Sequence, residues 1–117
     1  MKFDIDIKRA YVPRSQTDGY RVLVDRVWPR GIKRETLQID LWLKDVAPST
    51  ELRRWFGHEV KRWEGFQQRY RKELDANDEA VDILRRQHQQ GRLTLVYGAK
   101  DESHNQAVVL RDYLLGR

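Results

Sequence analysis

Three polar segments of the chain, residues 25–31, 44–50 and 97–105, hold the side chains best suited to bind or transform an anion. Arginine presents a planar fork of hydrogen-bond donors that matches phosphate and carboxylate groups, and arginines outnumber lysines 16 to 7. We therefore predict a site for a phosphate-like or nucleotide-like small anion, with Arg26 and Arg30 as its anchors. The residues predicted to bind this ligand are Arg26, Trp28, Arg30, Lys44, Ser49, Tyr97 and Asn105.

The third segment also holds a candidate for acid–base chemistry. His104 follows Asp101 by three residues, and an imidazole gains and loses a proton near neutral pH. We predict that His104 and Asp101 form an acid–base pair and that Lys100 supplies a second cation or a proton. In the alternative interpretation His104 is an ordinary hydrogen-bonded residue at the start of a helix, and the site binds without catalysing a reaction.

Other side chains have a structural interpretation beside the functional one. Trp28 is placed either to stack on a ring of the ligand or to pack under its own loop. Ser49 is also suited to cap a helix, and His58 is more typical of a capping or packing residue than of a reactive one. Arg26 and Arg30 have a structural alternative too. The carboxylates with which they would pair, tying loops together, are Asp25, Asp45 and Asp101.

Several classes of site find no support in the sequence. The chain has no cysteine, and its three histidines are separated without the spacing of metal ligands. The glycine-rich motifs of dinucleotide and ATP sites and the nucleophile motif of hydrolases are missing. We therefore predict neither a metal nor a cofactor.

Short apolar runs separated by amphipathic segments predict alternating strands and helices. Val22–Val24 is apolar on both faces, which is typical of a central strand, whereas Ile5 and Ile7 alternate with charged residues as in an edge strand. The predicted strands cover residues 3–9, 22–24, 40–44 and 93–96. The predicted helices cover residues 33–37, 51–56, 59–76, 79–90 and 104–115. This order predicts an α/β fold with a small, mainly parallel sheet of about four strands flanked by helices.

Two helix predictions have specific local support. Five apolar residues recur at three- and four-residue steps in the segment 59–76, as in an amphipathic helix. They are Val60, Trp63, Phe66, Tyr70 and Leu74. Ser103 and Gln106 have the spacing of a capping box, which predicts that the last helix begins near residue 104. Because parallel strands end at one edge of the sheet, the three polar segments should meet there.

The composition limits the kinds of partner that this protein can have but does not identify one. A length of 117 residues fits a single α/β domain over residues 1–117. The net charge of +5 makes an anionic partner plausible, but acidic and basic residues are mixed along the chain. The sequence lacks an apolar run long enough for a signal peptide or a membrane span, so we expect a cytoplasmic protein with no membrane partner.

The motifs resemble those of the YeaO-like family of small bacterial proteins, a domain of unknown function. The matching segments cover nearly the whole chain. They are residues 25–31, 42–53, 55–58, 97–101 and 104–110. Val27, where that family usually has Leu, and Gly98, where it often has Ala, are minor departures. The resemblance implies an α/β domain in a bacterial, cytoplasmic setting and names no reaction.

The sequence leaves three hypotheses for the function of this protein. The first is a small-anion site at the carboxyl edge of the sheet, with or without turnover. The second is a nucleic-acid-binding module in which the same edge and the basic residues of the segment 59–76 contact phosphates. The third is an accessory protein that binds a partner and performs no chemistry.

Overall fold

The computed structural model describes residues 4–117. Its strands are β1 (Ile5–Arg9), β2 (Tyr20–Leu23), β3 (Leu41–Trp42) and β4 (Leu93–Tyr97). Its helices are α1 (Arg34–Leu37), α2 (Thr50–Phe56), α3 (Trp63–Asp75), α4 (Asp78–Gln90) and α5 (Gln106–Leu114). Short 3₁₀ turns at Lys44–Val46 and Val60–Arg62 precede α2 and α3.

The four strands form one all-parallel sheet in the order β1-β4-β2-β3. Ile5 lies opposite Leu93 across β1 and β4, and Val22 lies opposite Leu95 across β2 and β4. The predicted α/β class is therefore confirmed, with β1 at an edge and β2 in the interior of the sheet. The first residue of the predicted strand 3–9 lies outside the described residues.

Apolar layers cover both faces of the sheet, which explains the continuous apolar runs Val22–Leu23 in β2 and Leu95–Tyr97 in β4. On one face Val22 and Leu95 pack in the larger cluster with residues of α2 to α5, including Phe66 and Tyr70. On the other face Leu23 and Val96 pack with Leu37 of α1 in a smaller cluster. The Tyr70 hydroxyl is fully buried and donates a hydrogen bond of 2.6 Å to the Val46 carbonyl, so its burial leaves no polar group unsatisfied.

A buried ion network fixes the connection between β1 and β2. The Asp18 carboxylate accepts hydrogen bonds from Lys8 Nζ at 2.8 Å, Arg21 Nη1 at 2.7 Å and the Ser15 backbone N–H at 3.0 Å. The Arg21 side chain is almost completely buried, and it also donates to the carbonyls of Leu37 and Gln38. Every polar atom of this charged group therefore has a partner, which is the condition under which a charge can be buried.

Gly19 follows this network at a position that accepts no larger residue. Its φ of +67° lies in the left-handed region, and a Cβ there would be 2.3 Å from the Arg92 carbonyl oxygen. The close approach brings the start of β2 against β4.

Two predicted elements are shorter than expected. The segment 40–44 forms a strand only at Leu41–Trp42, because the chain turns into the 3₁₀ helix at Lys44. The predicted helix 59–76 becomes α-helical only at Trp63, because Val60–Arg62 forms a 3₁₀ turn. Val60 was assigned to the apolar face of that helix, and this was wrong, since it is 57% exposed.

Candidate functional site

A cleft of about 740 Å³ opens at the carboxyl ends of β2 and β4, the edge of the sheet where the sequence predicts a site. Parallel α/β sheets commonly bind ligands at this edge. Five basic side chains line it. They are Arg26 and Arg30 from the segment after β2, Arg53 and Arg54 from α2, and His58 after α2.

The four arginines of the cleft outnumber the acidic side chains that line it. Among residues 4–117, none of these guanidinium groups forms an ion pair with a carboxylate. Of the described residues that line the cleft, Asp25 alone is acidic. Four cations around one carboxylate leave an excess of positive charge that an anion would neutralise.

Arg26 is held in place by the loop before α2. Its Nη2 donates to the Ala47 carbonyl at 3.1 Å, and its Nε approaches the Pro48 carbonyl at 3.4 Å. The residue thus ties two loops together, as the structural interpretation expected, but it does so through carbonyl oxygens instead of a carboxylate. Because these contacts leave the guanidinium charge uncompensated, Arg26 can hold the loops and attract an anion at the same time.

Asp25 forms the wall of the cleft where β2 ends. Its Oδ2 accepts a hydrogen bond of 2.8 Å from the Gly98 N–H, and its Oδ1 accepts one from the Gln106 side-chain amide. Burial raises the pKa of Asp25 to about 6, although the two hydrogen bonds and the charge of Arg53 act in the opposite direction. A carboxyl group with a perturbed pKa in a cleft is typical of functional sites.

Trp28 lines the cleft and also packs under its own loop. Its indole N–H donates to the Ile32 carbonyl at 2.7 Å, and its ring meets Trp42 edge to face at 5.3 Å. The guanidinium of Arg34 lies over the same ring, 5.2 Å from its centre. One part of the side chain is therefore fixed by packing, and another part borders the cleft.

The other four predicted ligand-binding residues lie outside the cleft lining, and one of them, Asn105, caps α5. The Lys44 ammonium lies 4.1 Å from the centre of the Trp42 ring. Ser49 caps α2 by accepting a hydrogen bond from the Leu52 N–H, and its hydroxyl donates to Glu73 at 2.6 Å. Tyr97 is buried at the end of β4.

The predicted acid–base residues form a turn before α5, also outside the cleft lining. The Asp101 carboxylate accepts from the backbone N–H groups of Ser103 and His104 and lies 2.9 Å from His104 Nδ1. The Ser103 N–H, followed by the contacts with His104, lowers the pKa of Asp101, although desolvation opposes them. The imidazole of His104 meets the Trp63 ring edge to face at 5.2 Å. Lys100 is exposed.

The predicted capping box at the last helix was wrong. Asn105, not Ser103, is the capping residue, because its side-chain oxygen accepts from the N–H groups of Ala107 and Val108. Asp101 already binds the Ser103 and His104 N–H groups, so α5 begins at Gln106 and His104 precedes it. The Gln106 side chain is free of a capping role and reaches Asp25 instead.

Besides Asp25, which the sequence patterns gave only as an ion-pair partner, the cleft holds several residues that they did not assign to a binding site, among them Arg53, Arg54, His58 and Gln106. Arg53 and Arg54 were assigned no role, although they follow the predicted cap at Ser49 closely enough to lie on the first turns of α2. His58 was interpreted as a capping or packing residue, and Gln106 as part of the capping box. All four lie close to a helix end that borders the predicted carboxyl edge, and this position is the feature that could have identified them as site residues.

Neither a metal centre nor a membrane span is found in the described part of the chain. Over residues 4–117, no group of three or more His, Asp or Glu side chains is arranged to hold a metal ion. No helix in this range combines the length and the apolar character needed to cross a bilayer.

The fold and the cleft define a small α/β protein with a parallel four-stranded sheet and a basic cleft at its carboxyl edge. The chain belongs to the DUF488-N3i family, described as the inactive DUF488-N3 subclade, whose model matches residues 4–117. The resemblance to YeaO-like proteins is thereby confirmed.

Relatives of this chain come from bacteria and align over nearly their full length. The uncharacterized protein YeaO of Escherichia coli K12 is 45% identical over 115 residues, covering 95% of this chain and 96% of that protein. The uncharacterized protein Rv3073c of Mycobacterium tuberculosis H37Rv is 38% identical over 113 residues, covering 97% of this chain and 95% of that protein. No solved structure shows significant similarity to the chain.

Proposed function

We propose that this protein binds a phosphate-like or nucleotide-like small anion in the cleft at the carboxyl edge of its sheet. The observation that carries the proposal is the group of four arginines, Arg26, Arg30, Arg53 and Arg54, around a cleft that offers one carboxylate. Guanidinium groups are suited to phosphate because they donate two parallel hydrogen bonds and remain charged at all relevant pH values.

We propose binding without turnover. The description of the family as an inactive subclade supports this choice. The positions of His104 and Asp101 also support it, because neither residue lines the cleft in which the ligand would lie. A general acid or base has to come within hydrogen-bond reach of the proton that it transfers.

A nucleic-acid module is the second candidate, and the basic side chains of α3 and of the turn before it are the surface that would carry it. Arg69 lies over the Trp55 ring at 3.9 Å, and Arg62 donates a hydrogen bond to the Trp55 carbonyl. Lys61 lies 3.6 Å from the Glu59 carboxylate. Lys61 and Arg69 nevertheless stay exposed, so the basic surface of α3 and the turn before it is available to a phosphate backbone. A polymer would also bind with an affinity that falls steeply with salt.

Inorganic phosphate should raise the melting temperature of the protein above its value in sodium chloride of equal ionic strength. A ligand that binds the folded state alone stabilises it by mass action, by about 2.7 kcal/mol at a hundredfold excess over its dissociation constant. Arg30→Ala and Arg53→Ala should each remove most of this gain. Differential scanning calorimetry with phosphate and chloride measures it.

Matched variants distinguish stabilisation by phosphate bound in the cleft from a general effect of salt on stability. Arg86→Ala removes an exposed arginine of α4 outside the cleft, and it should keep the full gain. His104→Gln should keep it as well, while lowering the melting temperature by a few degrees at most in both salts. An equal gain in the wild type and in all variants would attribute the effect to exclusion of phosphate from the protein surface and would contradict the proposal. Arg26→Ala is a less suitable test, because Arg26 also holds the loop before α2.

A further inference from the structure

The single carboxylate of the cleft distinguishes it from a site built for a bare phosphate ion. Asp25 lines the same cleft as four arginines, and an ionised carboxylate repels a phosphate placed beside it. Each of its oxygens accepts one hydrogen bond from the protein and retains a second lone pair. The carboxylate is therefore able to accept a hydrogen bond from a ligand while the arginines hold that ligand's negative group.

The size of the cleft agrees with a ligand larger than an oxyanion. Its volume of about 740 Å³ falls in the range of sites that enclose organic molecules the size of a drug or cofactor. An inorganic phosphate would fill a small part of this space and would leave the carboxylate without a ligand partner.

Two exposed apolar side chains lie beside the arginines. Val27 is 61% exposed and Tyr11 is 46% exposed, and both line the cleft. The Tyr11 ring is held by its hydroxyl, which donates to the Arg30 carbonyl at 3.0 Å, and by the guanidinium of Arg9, 4.8 Å from the ring centre. A fixed aromatic ring and an aliphatic side chain offer a surface on which a planar ring can stack.

We propose that the ligand of this cleft is a nucleoside monophosphate, whose phosphate binds the arginines, whose sugar or base donates a hydrogen bond to Asp25, and whose base lies against Tyr11 and Val27. This proposal rests on the proposed function, since the same arginines hold the phosphate in both. It adds the sugar and the base of the ligand, which the arginines alone do not specify.

Isothermal titration calorimetry of the wild-type protein at pH 8 compares inorganic phosphate with AMP, GMP, CMP and UMP. At least one nucleotide should bind about tenfold more tightly than phosphate, the gain typical of one added hydrogen bond to a charged group. A short single-stranded oligonucleotide is the third kind of ligand in this comparison. Tighter binding of the oligonucleotide than of any mononucleotide would place the nucleotide in a polymer and would overturn the small-molecule assignment.

Asp25→Asn tests the role of the carboxylate. The amide can keep the hydrogen bond from the Gly98 N–H but carries no charge, so the preferred nucleotide should lose about tenfold in affinity while phosphate binds equally or more tightly. Asp82→Asn, an exposed aspartate of α4 outside the cleft, is the matched control and should change neither affinity. Circular dichroism of each variant checks that it is folded.

The outcomes separate the two proposals. If neither phosphate nor any nucleotide binds the wild type, both proposals fail. If phosphate binds and no nucleotide binds more tightly, or if Asp25→Asn leaves the nucleotide preference unchanged, the anion site stands and the nucleotide assignment is overturned. The wild-type comparison needs no variant, so a folding defect in Asp25→Asn does not prevent a decision.

Discussion

Replacing Asp18 by alanine should lower the free energy of unfolding by about 3–5 kcal/mol, the range typical of breaking a buried ion pair by removing one partner. The Arg21 guanidinium would remain buried without its counter-charge, and Lys8 would lose its partner as well. Burial alone would raise the pKa of Asp18, but Lys8, the Ser15 N–H and Arg21 together lower it below its ordinary value. The network thus stabilises the ionised form.

Urea unfolding monitored by tryptophan fluorescence measures this effect. Asp6→Ala is the matched control, because it removes an aspartate from a surface ion pair with Arg92 that is more than two-fifths exposed on both sides. Pairs of that kind contribute about 1 kcal/mol or less. Equal losses in the two variants would mean that the buried network adds nothing beyond a surface contact.

Asp25→Asn should raise the free energy of unfolding at pH 8. The gain at pH 8 should exceed any change at pH 4 by up to about 3 kcal/mol. Burial raises the pKa of Asp25 from 3.8 to about 6. The folded protein therefore holds this proton more tightly than the unfolded chain does, and the Asp25 contribution to stability is present below the unfolded pKa and is lost as the pH rises through 6. Asparagine has no proton to lose and removes that dependence.

Thermal unfolding of both proteins across this pH range measures the difference. The two curves should converge near pH 4 and separate between pH 4 and pH 7, with Asp25→Asn the more stable at the higher pH. The exposed control Asp82→Asn should give a curve parallel to the wild type. Parallel curves for Asp25→Asn would contradict the assignment of an elevated pKa to Asp25.

We thus expect Asp25→Asn to have opposite effects on stability and on binding. A carboxylate that costs stability at neutral pH is typical of a functional position, where a local requirement outweighs folding stability. Asp25→Asn should accordingly give a more stable protein at pH 8 with a weaker nucleotide preference. The joint result distinguishes a ligand-binding carboxylate from one that merely ties β2 to the loop after β4.

The sheet and its carboxyl edge were predictable from the sequence because the interior strands β2 and β4 are buried on both faces. Continuous apolar runs such as Val22–Val24 fix the strands, and the polar residues that follow each run fix where a site can lie. Arg26 and Arg30 were predicted to lie at this edge in this way, and both line the cleft. Their partners Arg53 and Arg54 were not predicted to lie there, because the rotation of a seven-residue helix about its axis depends on packing that its sequence does not determine.

Competition between local hydrogen bonds explains the wrong helix start at α5, and a short 3₁₀ turn explains the wrong start at α3. Ser103 and Asn105 both suit a helix cap, and the choice depends on Asp101, whose carboxylate takes the N–H groups that an earlier helix start would use. Val60 has the right spacing for the apolar face of α3 but belongs to the 3₁₀ turn before it. A period of three to four residues cannot report where the helical geometry begins.

NMR titration with inorganic phosphate tests the arginine-lined cleft most directly. Two-dimensional ¹⁵N–¹H spectra are compared at equal ionic strength in phosphate and in chloride, including the side-chain Nε–H signals of the arginines. We predict saturable shifts concentrated at Arg26, Arg30, Arg53 and Arg54 and at the Gly98 and Gln106 amides beside Asp25. Shifts that do not saturate, or that spread over α4 and the far surface as strongly as over the cleft, would contradict the account.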